Sequence, residues 1–420
     1  MSEKPTNMSR RELMKYVALG GIGAMSVAGT QLFGRADSAT VTSTVAPNGD
    51  PIRIGMIDPI TGPYSTSSMH DIHGATVAMD MANASGGLLG RPVELLPVDD
   101  TSNADAARQQ AIMLIKEKRV DVLIGSFNGE AALAVSEIAE QEGKLFMVTC
   151  AYINELSGSA CRPSTFIYMP TARAMSRAVA PHIVKAFGSS WFFINPNTMD
   201  GSSAYNAMNH ALAELGGKEI GQAMTKFGET DFTSALQEAI LAKPDAVILN
   251  VYGWDLVNAL KTAKAMNVTA NMGIGGMISG EQIGRPLGYA ANQGIWGLTW
   301  DPKVPTKGSK TFIDGVVAKY SHTPTSRCYL GYAALTQTVN AIRRAGTTDV
   351  SALIKTLAGH SFDGLKEGPS FFREWDHQHV QDILVGKAFG KELGLGHYDI
   401  LETIPGNAVA IRRDQTACKL

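Results

Sequence analysis

Between residues 51 and 300, short apolar runs alternate with amphipathic stretches, and this alternation constrains the fold more than any other feature of the chain. Apolar runs at 53–58, 93–98, 120–124 and 145–148 are four to six residues long. The segments between them repeat apolar residues at helical spacing, as in Ile72, Ala75, Met79 and Ala82, and again in Ala107, Ala111, Leu114 and Ile115. A second series starts near Thr171, with helices predicted at 174–187, 202–215, 232–241 and 255–266 and strands at 191–194, 220–224 and 246–250. Strands this short and this apolar are buried on both faces, so the pattern predicts parallel sheets covered by helices on each side. The two series also match each other. Lys118-Arg119-Val120-Asp121-Val122-Leu123-Ile124-Gly125 and Lys243-Pro244-Asp245-Ala246-Val247-Ile248-Leu249-Asn250 each follow an amphipathic helix and lead into a short loop and another helix. Two lobes of one design are expected.

In open α/β sheets ligands bind outside the carboxyl ends of the strands. Those ends fall at 58–68, 126–129 and 149–152 in the first series and at 251–253 in the second. The first of these, Asp58-Pro59-Ile60-Thr61-Gly62-Pro63-Tyr64-Ser65, joins a strand to a helix start. Unpaired N–H groups and the positive end of the helix dipole suit it to a carboxylate or another small anion. Beyond residue 300 the pattern is less regular. Helices are expected at 309–320, 329–345 and 350–357, a strand at 383–385, and a loop-rich end.

The 420 residues suffice for two globular domains, and a net charge of −2 with 18% charged residues gives no support for a nucleic-acid partner. At the N-terminus, Ser9-Arg10-Arg11-Glu12-Leu13-Met14-Lys15 precedes an uncharged Gly/Ala-rich run over 16–34. This resembles a bacterial twin-arginine export signal, expected to occupy 1–39 with a lead-in at 40–50, and it implies a periplasmic protein. Cys150, Cys161, Cys328 and Cys418 would then meet an oxidising compartment. Three pairings are open, and no C-x-x-C spacing suggests zinc or redox chemistry.

Several segments together resemble the type I periplasmic solute-binding proteins of the branched-chain amino acid and amide ABC transporters. They are Thr61-Gly62-Pro63, Asn83-Ala84-Ser85-Gly86-Gly87-Leu88-Leu89-Gly90-Arg91-Pro92, the Asp99-Asp100 pair, Asp231-Phe232, Pro244-Asp245-Ala246-Val247 and Asp376-His377-Gln378. The resemblance implies two Rossmann-like α/β lobes with parallel-rich sheets joined by a three-strand hinge. Lobe I would hold 51–170 and 300–374, and lobe II 171–299 and 375–420. It implies a small-molecule solute in the cleft, delivery to a membrane permease and ATPase, and a monomer with no cofactor, metal or catalytic residue. It also implies site residues: Tyr64, Ser65 and Ser67; Ser126, Phe127, Asn128 and Gly129; Thr149, Ala151 and Tyr152; and Asp200, Tyr252 and Gly276.

Three departures shape the expected ligand. Gly129 falls at or near a family serine that binds the ligand carboxylate, so backbone N–H groups, Ser126 or Asn128 must substitute. Asp200 falls near a family aromatic position. Gly273-Ile274-Gly275-Gly276 stands where amino-acid binders carry an acidic residue for the ammonium group. Burying an ammonium without a partner costs several kcal/mol. Either Asp200 takes over that task or the ligand has no ammonium. The second is favoured: an aromatic or other carboxylate without an α-amino group, with Tyr64, Phe127, Tyr152 and Tyr252 to stack on it and glycine leaving room for a ring. Branched-chain amino acid or amide binding, and a periplasmic sensor of the same fold, are the alternatives. Enzyme readings fare worse. Ser126 is out of register for a nucleophile elbow, Cys150 is expected to be structural, and His377 and His379 are expected to serve hydrogen bonding at the last crossover.

Overall fold

The computed structural model describes residues 48–420 apart from 305, 307, 394 and 395. The export signal read at 1–39 and most of the lead-in lie outside the described residues.

The first series forms β1 (Ile52–Asp58), α1 (Ser65–Ala84), β2 (Val93–Asp99), α2 (Ala104–Lys116), β3 (Val122–Gly125), α3 (Gly129–Gln141), β4 (Leu145–Val148) and β5 (Thr165–Ile167). The strands make one parallel sheet in the order β2-β1-β3-β4-β5. Helix starts are set locally: Asn103 and Asn128 accept hydrogen bonds from the N–H groups of Ala106 and Ala131.

The second series forms α4 (Ala172–Phe187), β6 (Ser190–Pro196), α5 (Met199–Glu214), β7 (Lys218–Thr225), α6 (Thr233–Ala242), β8 (Ala246–Leu249), α7 (Gly253–Ala265), β9 (Gly273–Gly276) and β10 (Gln293–Leu298). Then come α8 (Ser309–Tyr320), α9 (Ser326–Ala345), α10 (Val350–Leu357), β11 (Ser361–Phe362), β12 (Ser370–Phe372), β13 (His379–Val380), β14 (Ile383–Leu393) and β15 (Gly396–Ile404). The second sheet runs β15-β14-β10-β9-β8-β6-β7, parallel except for β14 and β15, and β11–β13 form a small third sheet. Two features depart from the sequence reading. The glycine-rich segment 273–276 is a central strand, and the end of the chain is a long antiparallel hairpin.

The chain passes between the two large sheets near 168–171, 299–308 and 373–382. Side chains tie these passages together. The Gln378 amide donates to the Met169 carbonyl at 2.7 Å, and the Gln381 amide donates to the Tyr168 carbonyl at 2.8 Å. Buried Lys366 donates to the carbonyls of Thr299 and Asp382, and desolvation lowers its pKa to about 7. Asp376 pairs with Arg373, and His377 stacks on Phe166 with centroids 4.0 Å apart. The D-H-Q segment therefore serves structure at the crossing.

Each sheet is buried on both faces, with one core cluster running through both lobes and two more on the far faces. Within the first lobe α1 packs on α9 at backbone distance. A Cβ at Gly74 would fall on the Cys328 carbonyl, and one at Gly331 on the Asp71 carbonyl. Cys161 is disulfide-bonded to Cys418, while Cys150 and Cys328 are buried free thiols, so none of the three complete pairings is formed.

Candidate functional site

The loop after β1 is held by Asp99. Its carboxylate accepts from the Ile60 N–H at 2.9 Å and the Thr61 hydroxyl at 2.6 Å. This fixes Tyr64 at the start of α1, buried to 3% exposure. Its ring lies 4.6 Å from Phe127, at the end of β3, and 5.0 Å from Phe227 in the second lobe. Tyr152, after β4, meets Tyr252, after β8, edge to face at 5.4 Å. Neither tyrosine hydroxyl has a partner at full hydrogen-bonding geometry, and burial raises the pKa of both. Four strand-end loops thus converge on an aromatic enclosure.

The lobes touch around it. The Trp254 N–H donates to the Pro63 carbonyl at 2.8 Å, and its indole N–H donates to the Ser65 hydroxyl at 3.3 Å. Gly253 has φ 58°, and a Cβ there would fall on the Pro63 carbonyl, so only glycine permits this approach. The Gln282 amide lies 3.5 Å from the Ser67 hydroxyl. Asp200, in the first turn of α5, accepts from the Gly129 N–H at 3.1 Å to each oxygen, so a carboxylate caps α3 from across the cleft. Burial raises the Asp200 pKa to about 7 against the effect of that bond, with Glu130 and Glu155 adding to the rise.

Beneath the enclosure lies a buried polar cluster. Asp71, on α1, accepts from the Thr149 hydroxyl at 2.6 Å. Burial raises Asp71 to about 6, while the Thr149 and Asp58 hydrogen bonds and the positive charge of Arg327 hold it down. Asp58 is pushed well above the carboxylate range by burial and by the Asp71 and Asp100 charges. Burial thus pushes both carboxyls of the Asp58–Asp71 pair upward, Asp58 the further of the two. Cys150 is likewise raised by burial and by Asp71, which makes it a neutral thiol without nucleophilic character.

Arg327 completes the cluster. It sits at the start of α9, is 2% exposed, and stacks 4.9 Å over the Phe127 ring. Its charge acts on Tyr64, Asp71, Cys150 and Tyr252, which places it among them. Its Nε and Nη1 have no hydrogen-bond partner. Buried N–H donors on a charged group are expensive to leave unmet, and a guanidinium fork fits a carboxylate.

A profile described as periplasmic binding protein matches residues 51–392. The chain belongs to the periplasmic binding protein family. Its fold is that of the type I periplasmic binding proteins. It is similar to the Leu/Ile/Val-binding protein homolog 7 of Brucella abortus, at 21% identity over 360 residues, covering 82% of this chain and 90% of that protein. A crystal structure of a periplasmic binding protein from Burkholderia mallei superposes with a TM-score of 0.81 at 24% identity, covering 88% of this chain and 98% of that one. A solute-binding protein from R. palustris in complex with benzoate superposes with a TM-score of 0.79 at 21% identity, covering 88% and 100%. The family and fold are those of solute-binding proteins, which are not enzymes. The family implies a small-molecule solute and the permease and ATPase subunits of an ABC transporter as partners.

In this binding protein Tyr64, Phe127, Tyr152 and Tyr252 converge, with the buried Ser67 and Ser126 hydroxyls and Thr149 nearby. Other expected positions are committed elsewhere. The Asn128 side chain caps α3 and donates to the Ser102 carbonyl at 2.8 Å. Ala151 packs in the far-face core of the first lobe. Gly276 lies within β9, where a Cβ would fall on the Trp296 ring and the Leu249 carbonyl, so the space expected for a ligand ring is filled by Trp296. Two residues missing from the sequence reading, Arg327 and Phe227, belong to the enclosure. An isolated arginine near a helix start and a phenylalanine in a Gly/Thr loop carried no sequence signal for it.

Proposed function

We propose that this protein is the periplasmic solute-binding component of an ABC uptake system, and that its solute is a small carboxylate without an α-amino group, preferably aromatic. The observation that carries the reading is Arg327: a buried guanidinium with unmet donors, stacked on Phe127 beneath an aromatic enclosure. The solute carboxylate would take those donors, with its ring against Tyr64, Tyr152 and Tyr252 and its edge polar groups toward Ser67, Ser126 and Thr149. Ser65, Asp200 and Gly129 would serve closure, by the lobe-to-lobe bonds described above. The proposed rigid units are 51–170 with 300–374 and 171–299 with 375–420, opening about the three passages, except that the last residues follow the first unit, to which the Cys161–Cys418 disulfide ties them. Export through the twin-arginine route and a monomeric state are part of the same proposal. Benzoate complexes of related R. palustris proteins support it in one respect: this fold is able to enclose an aromatic acid.

One observation favours a second reading. Asp71 is a buried carboxylate on α1, bonded to Thr149 and beside Asp58, and it stands within the field of Arg327. An α-amino acid would place its carboxylate on Arg327 and its ammonium on Asp71, in keeping with the names of the Brucella relatives. A thermal-shift screen separates the two, because a ligand that binds only the folded state raises the melting temperature. Benzoate and hydroxybenzoates are expected to give the largest shifts. A larger shift with leucine would establish the second reading instead.

A further inference from the structure

On α1 and α9, next in the chain to Asp71 and Arg327, lies a second group of side chains that the proposed solute contacts do not use. His70 and His73 lie three residues apart on α1 and so share a face. Cys328 is in the first turn of α9, and His322 is in the turn between α8 and α9. The glycine contacts at Gly74 and Gly331 draw α1 and α9 together and bring residues more than 240 positions apart into contact. His70 Nδ1 is 3.4 Å from Cys328 Sγ, and His322 Nε2 is 3.1 Å from His73 Nδ1. The ligand atoms of His70, His322 and Cys328 all lie within 4.8 Å of one another, the one such group of metal-binding side chains among the described residues.

We propose that His70, His322 and Cys328 form a binding site for a single borderline-soft transition cation of the zinc class, with His73 beside the fourth position. Three features carry this. The donors are two imidazoles and a thiol, which select zinc-like cations over magnesium or calcium. A tetrahedral ion about 2.1 Å from nitrogen and about 2.3 Å from sulfur sets neighbouring donors roughly 3.3–3.6 Å apart; the His70–Cys328 pair is already at 3.4 Å, and the group, within 4.8 Å, would draw in on the ion. The outer contacts are also in place. His322 Nδ1 faces the Thr323 carbonyl at 2.9 Å, which fixes its proton there and turns the Nε2 lone pair inward. His73 stacks on Tyr320 with centroids 3.7 Å apart, which holds that ring edge-on to the group. On binding, the Cys328 thiol proton leaves to solvent and the thiolate becomes a ligand. The ion would tie α1, the 321–325 turn and α9 together, and it would fix the start of α9 that also presents Arg327.

The test uses the full-length chain purified without a histidine tag, titrated with Co²⁺ and then Zn²⁺. One Co²⁺ per chain is expected, with an intense near-ultraviolet thiolate-to-cobalt band that one equivalent of Zn²⁺ abolishes. Cys328→Ser is expected to lose the band, and His322→Gln to weaken Co²⁺ binding by roughly tenfold or more. Circular dichroism establishes that each variant is folded, and His322, on a half-buried turn, gives a variant that does not depend on replacing a core thiol. Absence of stoichiometric Co²⁺ binding by the unmodified chain, a spectrum without a thiolate band, or unchanged binding in both folded variants would overturn the proposal.

Discussion

In the proposed cleft Arg327 and Tyr252 would come to the solute from opposite lobes and divide the work of holding it. Arg327 offers directional N–H donors at one end, and Tyr252 offers a ring face whose burial is independent of the ligand's charge. Tyr252→Ala should weaken binding of the preferred solute by about 1–3 kcal/mol in a calorimetric titration, with the fold intact. An unchanged affinity would remove that ring from the contact surface. The sequence made one of these two residues visible. Tyr252 follows a strand that repeats the pattern of the first lobe, so its place at a strand-end loop could be read directly. Arg327 could not, because an arginine at the start of an amphipathic helix usually faces solvent. It is buried because Gly74 and Gly331 let α9 sink onto α1, a contact between segments far apart in the chain.

At the level of elements, closure is the property with a testable signature. The first turn of α5 brings Asp200 onto the N-terminus of α3, where burial raises its pKa to about 7. In an open form the same carboxylate would be solvated and return to its ordinary value near 4. The closed form therefore binds more protons between those two values, so closure is favoured in acid and weakens as pH rises through 7. Affinity for an acid that stays ionised throughout should fall about thirtyfold between pH 5.5 and 8, and Asp200→Asn should flatten that dependence. A profile identical in the variant would mean that Asp200 does not titrate with closure. Elements were legible where their periodicity was strong: α8, α10 and β4 fall on the residues expected. β9 was not, because Gly-Ile-Gly-Gly has almost none of the β-branched and aromatic residues that mark a strand. Its glycines instead make room for Phe187, Ile183 and Trp296 packed across the sheet. The β14–β15 hairpin was read only in its first residues, the strand expected at 383–385, because glycines interrupt the pattern beyond them.

For the whole molecule, the disulfide and the proposed export signal lie outside the cleft and bear on how the protein exists. Cys161 and Cys418 are 257 residues apart, so their bond closes most of the chain into a loop. Replacing both with serine should lower unfolding free energy by about 2–4 kcal/mol in denaturant titrations, with solute affinity retained. If stability is unchanged, the bond is dispensable for the fold. Changing Arg10 and Arg11 to Lys should block export in a fractionation assay, and normal export would contradict the twin-arginine reading. The division into two lobes was legible from the chain because each lobe repeats one design. The pairing of cysteines was not, because it depends on how the last residues return to the first lobe.

The most direct test of the account is a calorimetric titration of benzoate and of leucine into the unmodified chain and into Arg327→Gln. Benzoate should bind the unmodified chain more tightly than leucine, and the substitution should cost about 2–4 kcal/mol of benzoate affinity while the chain stays folded. Tighter leucine binding, or benzoate affinity unchanged by loss of the guanidinium, would contradict it.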